Sequence, residues 1–233
     1  MELLKDIDAL LTARTPQSVW QHYVDRLSSL GFSHVAYCGL RILDVHGDRM
    51  VDDGIFLSNY PPRLLQEIQS QGTFSNLPMY RWMSENRGSE SWEWMQRRRR
   101  AGRLSLPEER MLDLFARHGH VSGYAIGLGD SVPQMRAGVI LSGAIGMRRD
   151  ELDVLWQRHR AVVTALAGLV HMRLSTLPYR SESLLTLRQR EVLEYISVGR
   201  TIQEVAELLD LTPATVEKHL RLARKALGAR TTA

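Results

Sequence analysis

The chain has 233 residues, of which 44% are hydrophobic and 24% charged, and its net charge is +4 at pH 7. This length is enough for one domain with a sizeable core and a second, smaller unit. The single cysteine, Cys38, excludes an internal disulfide and a cysteine-based metal site, which favours a reducing cytoplasm. The sequence has no run of roughly 18 apolar residues, and its amino terminus is acidic where a signal peptide is basic. We therefore expect a soluble cytoplasmic protein with no membrane partner.

Helices and strands are mixed along the first 174 residues. Apolar residues at helical spacing, bounded by proline and glycine, predict helices around Leu3–Leu11, from Pro16 to Gly31, from Pro61 to Gly72, from Pro107 to Gly119 and from Arg149 to Leu174. Alternating runs predict strands at His34–Leu43, Gly54–Tyr60, Val121–Gly129 and Arg136–Ile145. The stretch 73–106 follows no regular pattern. This order predicts an α+β fold, with an amino-terminal α/β/α sandwich around an antiparallel sheet and a small all-α unit after it.

Three helix starts follow one another between Leu185 and Leu227. Thr186 with Gln189 and Thr201 with Glu204 have the spacing of capping boxes. Thr212 before Pro213 predicts a third start, because proline is favoured at the first helical position. The connection before the third helix is about three residues long, which is typical of a helix-turn-helix.

The third helix of this unit combines an apolar face with basic residues. Apolar residues recur along it at steps of three and four, whereas five Lys/Arg and one acid, Glu217, lie between Pro213 and Arg230. A basic helix with an apolar back suits the major groove of double-stranded DNA. We predict DNA contacts from Thr215, Val216, Lys218, His219, Arg221, Arg224 and Lys225.

The stretch LTLRQREVLEYISVGRTIQEVAELLDLTPATVEKHLRLARKAL resembles the LuxR-type helix-turn-helix. The matches include Thr186, Glu191, Gly199, Val216 and His219. Glu217 stands where that family usually has a basic or neutral residue, and Ala226 where it usually has lysine. The resemblance implies a transcription regulator that reads two half-sites as a dimer. The chain ends at Ala233, where the family normally adds a fourth helix, so either that helix is absent or the chain was cut.

A second resemblance covers most of residues 1–174 and is carried by FLSNYPPRLL, a later tryptophan and HGHVSGYAI. These segments resemble the autoinducer-binding domain of LuxR-type quorum-sensing receptors. The resemblance implies a small-molecule pocket formed by Tyr60, Leu64, Ile68, Asn76, Leu77, Trp92, Gly123 and Ser142. Leu64, Ile68 and Leu77 replace the polar tryptophan, tyrosine and aspartate with which that family binds an acyl-homoserine lactone.

The loss of those polar positions leaves the ligand open. An amide buried beside Leu77 without an acceptor would cost about 1–3 kcal/mol, while Asn76 offers an alternative amide partner. The pocket therefore takes an acyl-homoserine lactone, another and more apolar signal, or no ligand. The last case corresponds to an orphan regulator, or to one that inhibits related receptors by forming heterodimers.

No arrangement of side chains indicates an enzyme, a cofactor or a metal site. His118 and His120 lie near a predicted helix end, where we expect a polar cap rather than metal ligands. The predicted organisation is a sensory and dimerisation domain at 1–174, a linker at 175–184 and a DNA-binding domain at 185–233. The expected partners are double-stranded DNA, a second copy of the chain through the long helix at 149–174, and a small-molecule signal.

Overall fold

The computed structural model describes residues 2–45, 48–70, 77–132, 135–177 and 185–227, with side chains except at 41–45, 48–53, 130, 225 and 227. The chain divides into two compact units. The first contains Met1–Leu40 and Ile55–Tyr179, and the second contains Arg41–Gly54 and Arg180–Ala233. Among the described helices, none is long and apolar enough to cross a membrane.

Helices flank a five-stranded sheet in the order β2-β1-β5-β4-β3. The strands are β1 (His34–Val45), β2 (Asp48–Ser58), β3 (Gly88–Ser91), β4 (Tyr124–Val132) and β5 (Met135–Ser142). The helices that precede or interrupt them are α1 (Glu2–Thr12), α2 (Pro16–Ser29), α3 (Pro62–Ser70), α4 (Pro78–Glu85), α5 (Glu93–Arg100) and α6 (Leu106–Arg117). The last helix of the first unit is α7 (Arg149–Thr176). β3, β4 and β5 pair antiparallel, which confirms the predicted fold class.

Each face of the sheet carries its own hydrophobic core. Side chains alternate between the two faces of a strand, so Tyr37 and Val139 pack against α1, α2 and α7. Ala36 and Ile140, one residue away on the same strands, pack against α3, α4, α5 and α6. The three layers of an α/β/α sandwich result.

Two helices of the first unit, α2 and α6, begin with capping boxes that the sequence analysis did not identify. Thr15 accepts the amide of Ser18 over 3.1 Å, and the Ser18 hydroxyl accepts the Thr15 amide over 3.3 Å. Ser105 and Glu108 form the same reciprocal box at the start of α6. Because a capping box satisfies amides that the helix itself leaves unpaired, these starts are determined locally.

The stretch 73–106, predicted to be irregular, contains regular elements instead. The structure places α4, the edge strand β3 and α5 within its described part. Neither of the two helices exceeds eight residues, and neither has a side-chain cap at its start. They therefore lack the length and the local signals from which helices are predicted. The arginine run at the end of α5 is paired in part, since Arg99 lies 2.8 Å from Asp113.

Paired glycines let α4 approach the sheet closely. Gly127 on β4 stands opposite Gly138 on β5. A Cβ atom at Gly127 would lie 1.9 Å from the backbone oxygen of Asn86, and one at Gly138 would lie 2.5 Å from Met83 Sδ. Since real atoms cannot approach so closely, this contact between helix and sheet requires glycine at both positions.

Two polar contacts, one buried and one partly buried, attach α7 to the rest of the first unit. The Tyr37 hydroxyl lies 2.9 Å from Nδ1 of His171, and both residues are fully buried. The Arg173 guanidinium donates to the backbone oxygens of Leu10 at 3.1 Å and Ala13 at 2.7 Å. These oxygens belong to the end of α1, where the last carbonyl groups have no partner within the helix. The carboxyl-terminal turn of α7 therefore holds the end of α1.

Between residues 185 and 227, which the structure describes, the second unit has three helices with a small core. They are α8 (Leu187–Ser197), α9 (Ile202–Leu209) and α10 (Pro213–Leu227). Thr186 with Gln189 and Thr201 with Glu204 form the predicted capping boxes. Asp210 ends α9 in the left-handed conformation, with φ 54°, which Asp tolerates better than most residues. The core consists of Val192, Val205, Ala206, Val216 and Leu220, with partly buried residues around it.

Candidate functional site

The third helix of the second unit presents its charged and apolar residues on different faces. Val216 and Ala223 are fully buried against α8 and α9, whereas Lys218 and Arg221 are exposed. Residues three or four apart share one face of a helix, so burial of one stripe exposes the basic residues together. The outer face of α10 can therefore contact an anionic surface, such as the phosphates of a duplex.

The predicted DNA contacts do not all lie on that outer face. Val216 was predicted among them, but it is fully buried, so its side chain belongs to the core of the second unit instead. Thr215 is half-buried, and its hydroxyl lies 2.8 Å from that of Thr212 at the start of α10. His219 and Arg224 are half-buried. Nε of Arg224 lies 3.4 Å from the backbone oxygen of Leu220, in its own helix.

The side chain of Lys225 and the whole of Asn76 lie outside the described residues. Both remain predictions, the first as a phosphate contact and the second as an amide partner.

The first unit contains an apolar cavity between β1, β5 and the helices α3, α4 and α6. It encloses about 410 Å³ of space not filled by atoms, part of which is open to solvent. The lining consists of Ala36, Tyr37, Cys38, Phe56, Tyr60, Leu65, Ile68, Leu77, Tyr80, Met83, Phe115 and Ile140. Burial raises the pKa of Cys38 to about 12. This thiol is therefore neutral and contributes a small apolar surface, as expected for a strand cysteine.

Three of the predicted ligand-binding residues line this cavity, namely Tyr60, Ile68 and Leu77. Leu64 is fully buried in the surrounding core, and the next residue, Leu65, faces the cavity instead. On α3, Leu65 and Ile68 are three residues apart and lie on a face that borders the cavity.

Trp92 and Gly123 contact each other beside the cavity wall. The Trp92 amide donates to the backbone oxygen of Gly123 over 2.8 Å. A Cβ atom at Gly123 would lie 2.4 Å from the Trp92 ring, so the absence of a side chain makes room for the indole. The ring of Trp92 packs edge-on against Phe115 at 5.6 Å between centroids. Phe115 lines the cavity, and Trp92 thus supports one of its walls.

Ser142 belongs to a buried group of polar side chains, the polar cluster, formed by Tyr60, Ser142, His120 and His34. The Tyr60 hydroxyl donates to Ser142 Oγ over 3.1 Å, and Nδ1 of His120 lies 3.3 Å from the same oxygen. The His120 ring packs against those of His34 and Tyr60, at 4.6 and 4.9 Å between centroids. His120 was expected to cap a helix with His118. It is buried instead, whereas His118 lies at the helix end, 3.2 Å from Glu67.

Two members of the polar cluster, His120 and Tyr60, are neutral at pH 7. Burial, together with nearby His34 and His118, lowers the pKa of His120 to about 4. Burial also raises the pKa of Tyr60, although its bond to Ser142 opposes that shift. A neutral imidazole has one N–H donor and one acceptor nitrogen, so His120 can exchange hydrogen bonds without carrying charge.

Two known protein families match this chain, one in each of its two main parts. Residues 15–174 match the autoinducer binding domain family, and residues 183–227 match region 4 of sigma-70 factors. The transcriptional activator ExpR of Dickeya dadantii is 26% identical over 91% of this chain and 84% of its own length. The transcriptional activator BjaR1 of Bradyrhizobium diazoefficiens is 42% identical, but over 28% of this chain and 27% of its own length.

A solved structure shares the fold. Escherichia coli SdiA in complex with octanoyl-rac-glycerol superposes with a TM-score of 0.57 at 16% identity, covering 99% of this chain and 89% of SdiA. At this identity the likeness concerns the fold alone. The family match to the first unit covers most of the chain, and the match to sigma-70 region 4 follows it. The chain therefore belongs to the LuxR family of transcriptional regulators with an autoinducer-binding domain.

Proposed function

We propose that the protein is a dimeric, sequence-specific DNA-binding regulator of the bacterial cytoplasm whose activity responds to a small molecule in the cavity of its first unit. The observation that carries the proposal is the arrangement of α10. Its apolar stripe is buried in the core of the second unit, whereas Lys218 and Arg221 are exposed. Basic side chains on one helix face neutralise DNA phosphates and release counterions.

The test of DNA contact is the salt dependence of duplex binding. Each phosphate contact contributes about one unit to the slope of log K against log salt. Arg221→Ala and Arg224→Ala should therefore each weaken binding to two unrelated duplexes and flatten the slope by about one unit. The matched control is Arg188→Ala on α8, since Arg188 already pairs with Glu191 at 3.0 Å. An unchanged slope for folded Arg221→Ala and Arg224→Ala proteins would contradict the assignment.

Dimerisation through α7 is part of the proposal, because two half-sites require two helix-turn-helix units. The inner residues Val163, Leu166 and Val170 are buried in the core of the first unit, so only the outer side of α7 is available to a partner. Val154 is 61% exposed there.

Ala161 and Ala165 continue that outer stripe and are also exposed. The double variant Ala161→Glu and Ala165→Glu should convert the dimer to a monomer in sedimentation, because it places like charges opposite each other. Arg160→Glu, exposed on the same helix but outside the stripe, should remain dimeric. A dimeric double variant would exclude this surface.

The cavity is the proposed sensor of a signal in quorum sensing. An acyl-homoserine lactone fits the family, whereas Ile68 and Leu77, which line the cavity, favour a more apolar ligand. SdiA binds octanoyl-rac-glycerol, which has an acyl chain without a lactone. A ligand-independent regulator, or one that pairs with related receptors, is the alternative. Native mass spectrometry of protein from its own host would distinguish them, since a retained small molecule supports sensing and a heterodimer supports the alternative.

A further inference from the structure

The strand β3 forms one edge of the sheet, and no described strand lies along its outer side. On its inner side, the amide of Trp92, just after β3, donates to the backbone oxygen of Gly123 over 2.8 Å. Hydrogen-bonded and non-hydrogen-bonded pairs alternate along an antiparallel ladder, so Glu90, two residues earlier, also bonds to β4. Ser89 and Ser91 therefore direct their backbone N–H and C=O groups toward the outer edge.

A second contact agrees with this orientation of the edge. The Ser91 amide donates to the carboxylate of Glu90 over 3.0 Å rather than to β4. Ser89 is exposed, and no described side chain lies within hydrogen-bond distance of its amide. Backbone donors and acceptors at an exposed strand edge can pair with another extended chain. The outer edge of β3 is therefore open to an additional strand.

A shallow apolar groove, the tryptophan groove, adjoins this edge. It lies between α4, α5 and β3, and its lining includes Met79, Trp82, Trp94, Met95, Glu90 and Ser91. None of the four apolar residues among them lines the cavity described above. Trp82 and Trp94 are only partly buried, so an apolar side chain placed over them would remove both indole rings from water.

The charge beside the tryptophan groove favours an acidic partner. Residues 88–100 contain four arginines and two glutamates, which leaves a net charge of +2. Arg98 lies 5.3 Å over the ring of Trp94 and has no carboxylate within ion-pair distance among the described residues. Arg97 reaches only Glu90, at 3.9 Å. A guanidinium stacked on an indole leaves N–H groups at its edge available to a carboxylate.

A second copy of β3 does not fit this surface. The strand has four residues, Gly88 to Ser91, and none of their side chains is apolar, so it would leave the tryptophan groove uncovered. Short edge strands also disfavour pairing between two sheets. The surface therefore suits a segment of different sequence.

We propose that the outer edge of β3 binds an extended, acidic peptide segment of a partner protein as an additional strand. The backbone of this segment pairs with Ser89, an apolar side chain covers Trp82 and Trp94, and a carboxylate pairs with Arg98. Main-chain bonds supply affinity in this mode of recognition, and side-chain contacts supply specificity. The inference concerns neither the cavity ligand nor DNA, and it goes beyond the proposed function.

The test measures binding of fluorescent peptides to the full-length protein by fluorescence polarisation. The first probe is TETLTET with blocked termini, whose leucine and two glutamates lie on one face of an extended chain. The basic counterpart TKTLTKT should bind roughly tenfold more weakly, because repulsion replaces the ion pairs. A third probe is TETLTET with methyl groups on the amides of leucine and of the next threonine. It keeps every side chain but blocks both strand edges, and should bind at least about fivefold more weakly.

The matched variants at the strand edge are Ser89→Pro and Ser89→Ala. Proline removes the outward N–H group but no bond to β4, because an edge strand tolerates proline where its N–H faces solvent. Ser89→Pro should therefore lose about fivefold in affinity for TETLTET, and Ser89→Ala should bind it like the wild type. If Ser89→Pro does not fold, the methylated probe makes the same test from the peptide side.

The role of Arg98 is tested with Arg98→Gln and two peptides. The variant should bind TETLTET about threefold more weakly, as expected for an exposed ion pair. It should bind the neutral peptide TQTLTQT as the wild type does. The control is Arg160→Gln, because Arg160 is exposed on α7, which packs against the other face of the sheet. This control should change neither affinity.

Hydrogen exchange identifies where the peptide binds, and each outcome decides one part of the inference. The Ser89 amide should exchange more slowly with TETLTET bound, and unchanged exchange or no binding would overturn the site. Equal affinity of Ser89→Pro and Ser89→Ala would overturn strand addition. Equal affinity for the acidic and basic peptides would overturn the charge requirement. A dimer that only Ser89→Pro converts to a monomer in sedimentation would make a second copy the occupant instead.

Discussion

The helix-turn-helix and the cavity are stabilised by residues at very different separations along the chain. In the second unit, Thr201 caps its helix through Glu204, three residues away. In the first unit, the cavity wall joins Ala36, Leu77, Phe115 and Ile140. Short-range determinants can be recognised in a sequence, and long-range ones depend on how the sheet assembles. The helix-turn-helix was therefore easier to predict than the set of residues that line the cavity.

Among the variants that test this contrast between local and long-range contacts, we expect the largest effect from Leu77→Asp, which restores the aspartate of the family at the cavity wall. Leu77 is buried, so the variant loses apolar contacts, a change that costs about 2–5 kcal/mol for leucine in a core. Leu77 also precedes α4 as its cap residue, where an aspartate would regain about 1 kcal/mol. We expect a lower free energy of unfolding in urea and loss of any ligand response.

Leu106→Asp is the control, because Leu106 lies at the start of α6 and is exposed. It should change the unfolding free energy little. A Leu77→Asp protein of normal stability that gains sensitivity to an acyl-homoserine lactone would show that a polar anchor is all the cavity lacks.

A second variant, with a smaller expected effect on stability, tests the long-range contact between Tyr37 on β1 and His171 on α7. Tyr37→Phe removes the hydroxyl that meets His171 Nδ1 and leaves a buried imidazole nitrogen unpaired, which costs about 1–3 kcal/mol. Tyr23 is equally buried, but its hydroxyl has no partner among the described residues. Tyr23→Phe should therefore leave the thermal midpoint unchanged or raise it. Equal destabilisation by the two variants would argue against the Tyr37–His171 bond.

We expect the smallest effect on stability from removal of a local contact in the second unit, the Thr201 cap of α9. Thr201→Ala removes the side chain that accepts the Glu204 amide at 3.3 Å, a loss of about 1 kcal/mol for a helix cap. Thr164 lies within α7 and bonds to the carbonyl of Arg160, so Thr164→Ala should be neutral or slightly stabilising, because alanine has the higher helix propensity. Urea unfolding measures both. A Thr201→Ala protein as stable as Thr164→Ala would show that this helix start does not depend on its cap.

Most of the fold could be predicted because its helix starts and strand patterns are local. The boxes at Thr15, Ser105, Thr186 and Thr201 all form, although the sequence analysis identified only the last two by their spacing. The short elements between 77 and 100 were missed, since neither α4 nor α5 has a side-chain cap and α4 is held by contact with β4 and β5. The closeness of Gly127 and Gly138 to α4 is visible only once the strands are paired.

The candidate sites also differ in how far local sequence could predict them. The apolar stripe of α10 followed from spacing, and that same spacing could have excluded Val216 from the DNA face. His120 was misjudged because its partners, Tyr60 and Ser142, are 60 and 22 residues away. One signal was available in the sequence: the strand patterns place His34 on the same face as Ala36 and Ser142 on the same face as Ile140, so both strands carry a polar residue on the cavity side.

The Arg173 contacts bear on how the protein can be shortened. The family match begins at residue 15, which would suggest that the preceding helix can be deleted without harm when a minimal sensor is prepared. However, Leu10 and Ala13 are buried in the core, and their backbone oxygens accept two hydrogen bonds from Arg173. Deletion of α1 would therefore expose core side chains and remove two of the acceptors of a cation in the last turns of α7. Boundaries drawn from family alignment alone would yield a less stable protein than boundaries drawn from its packing.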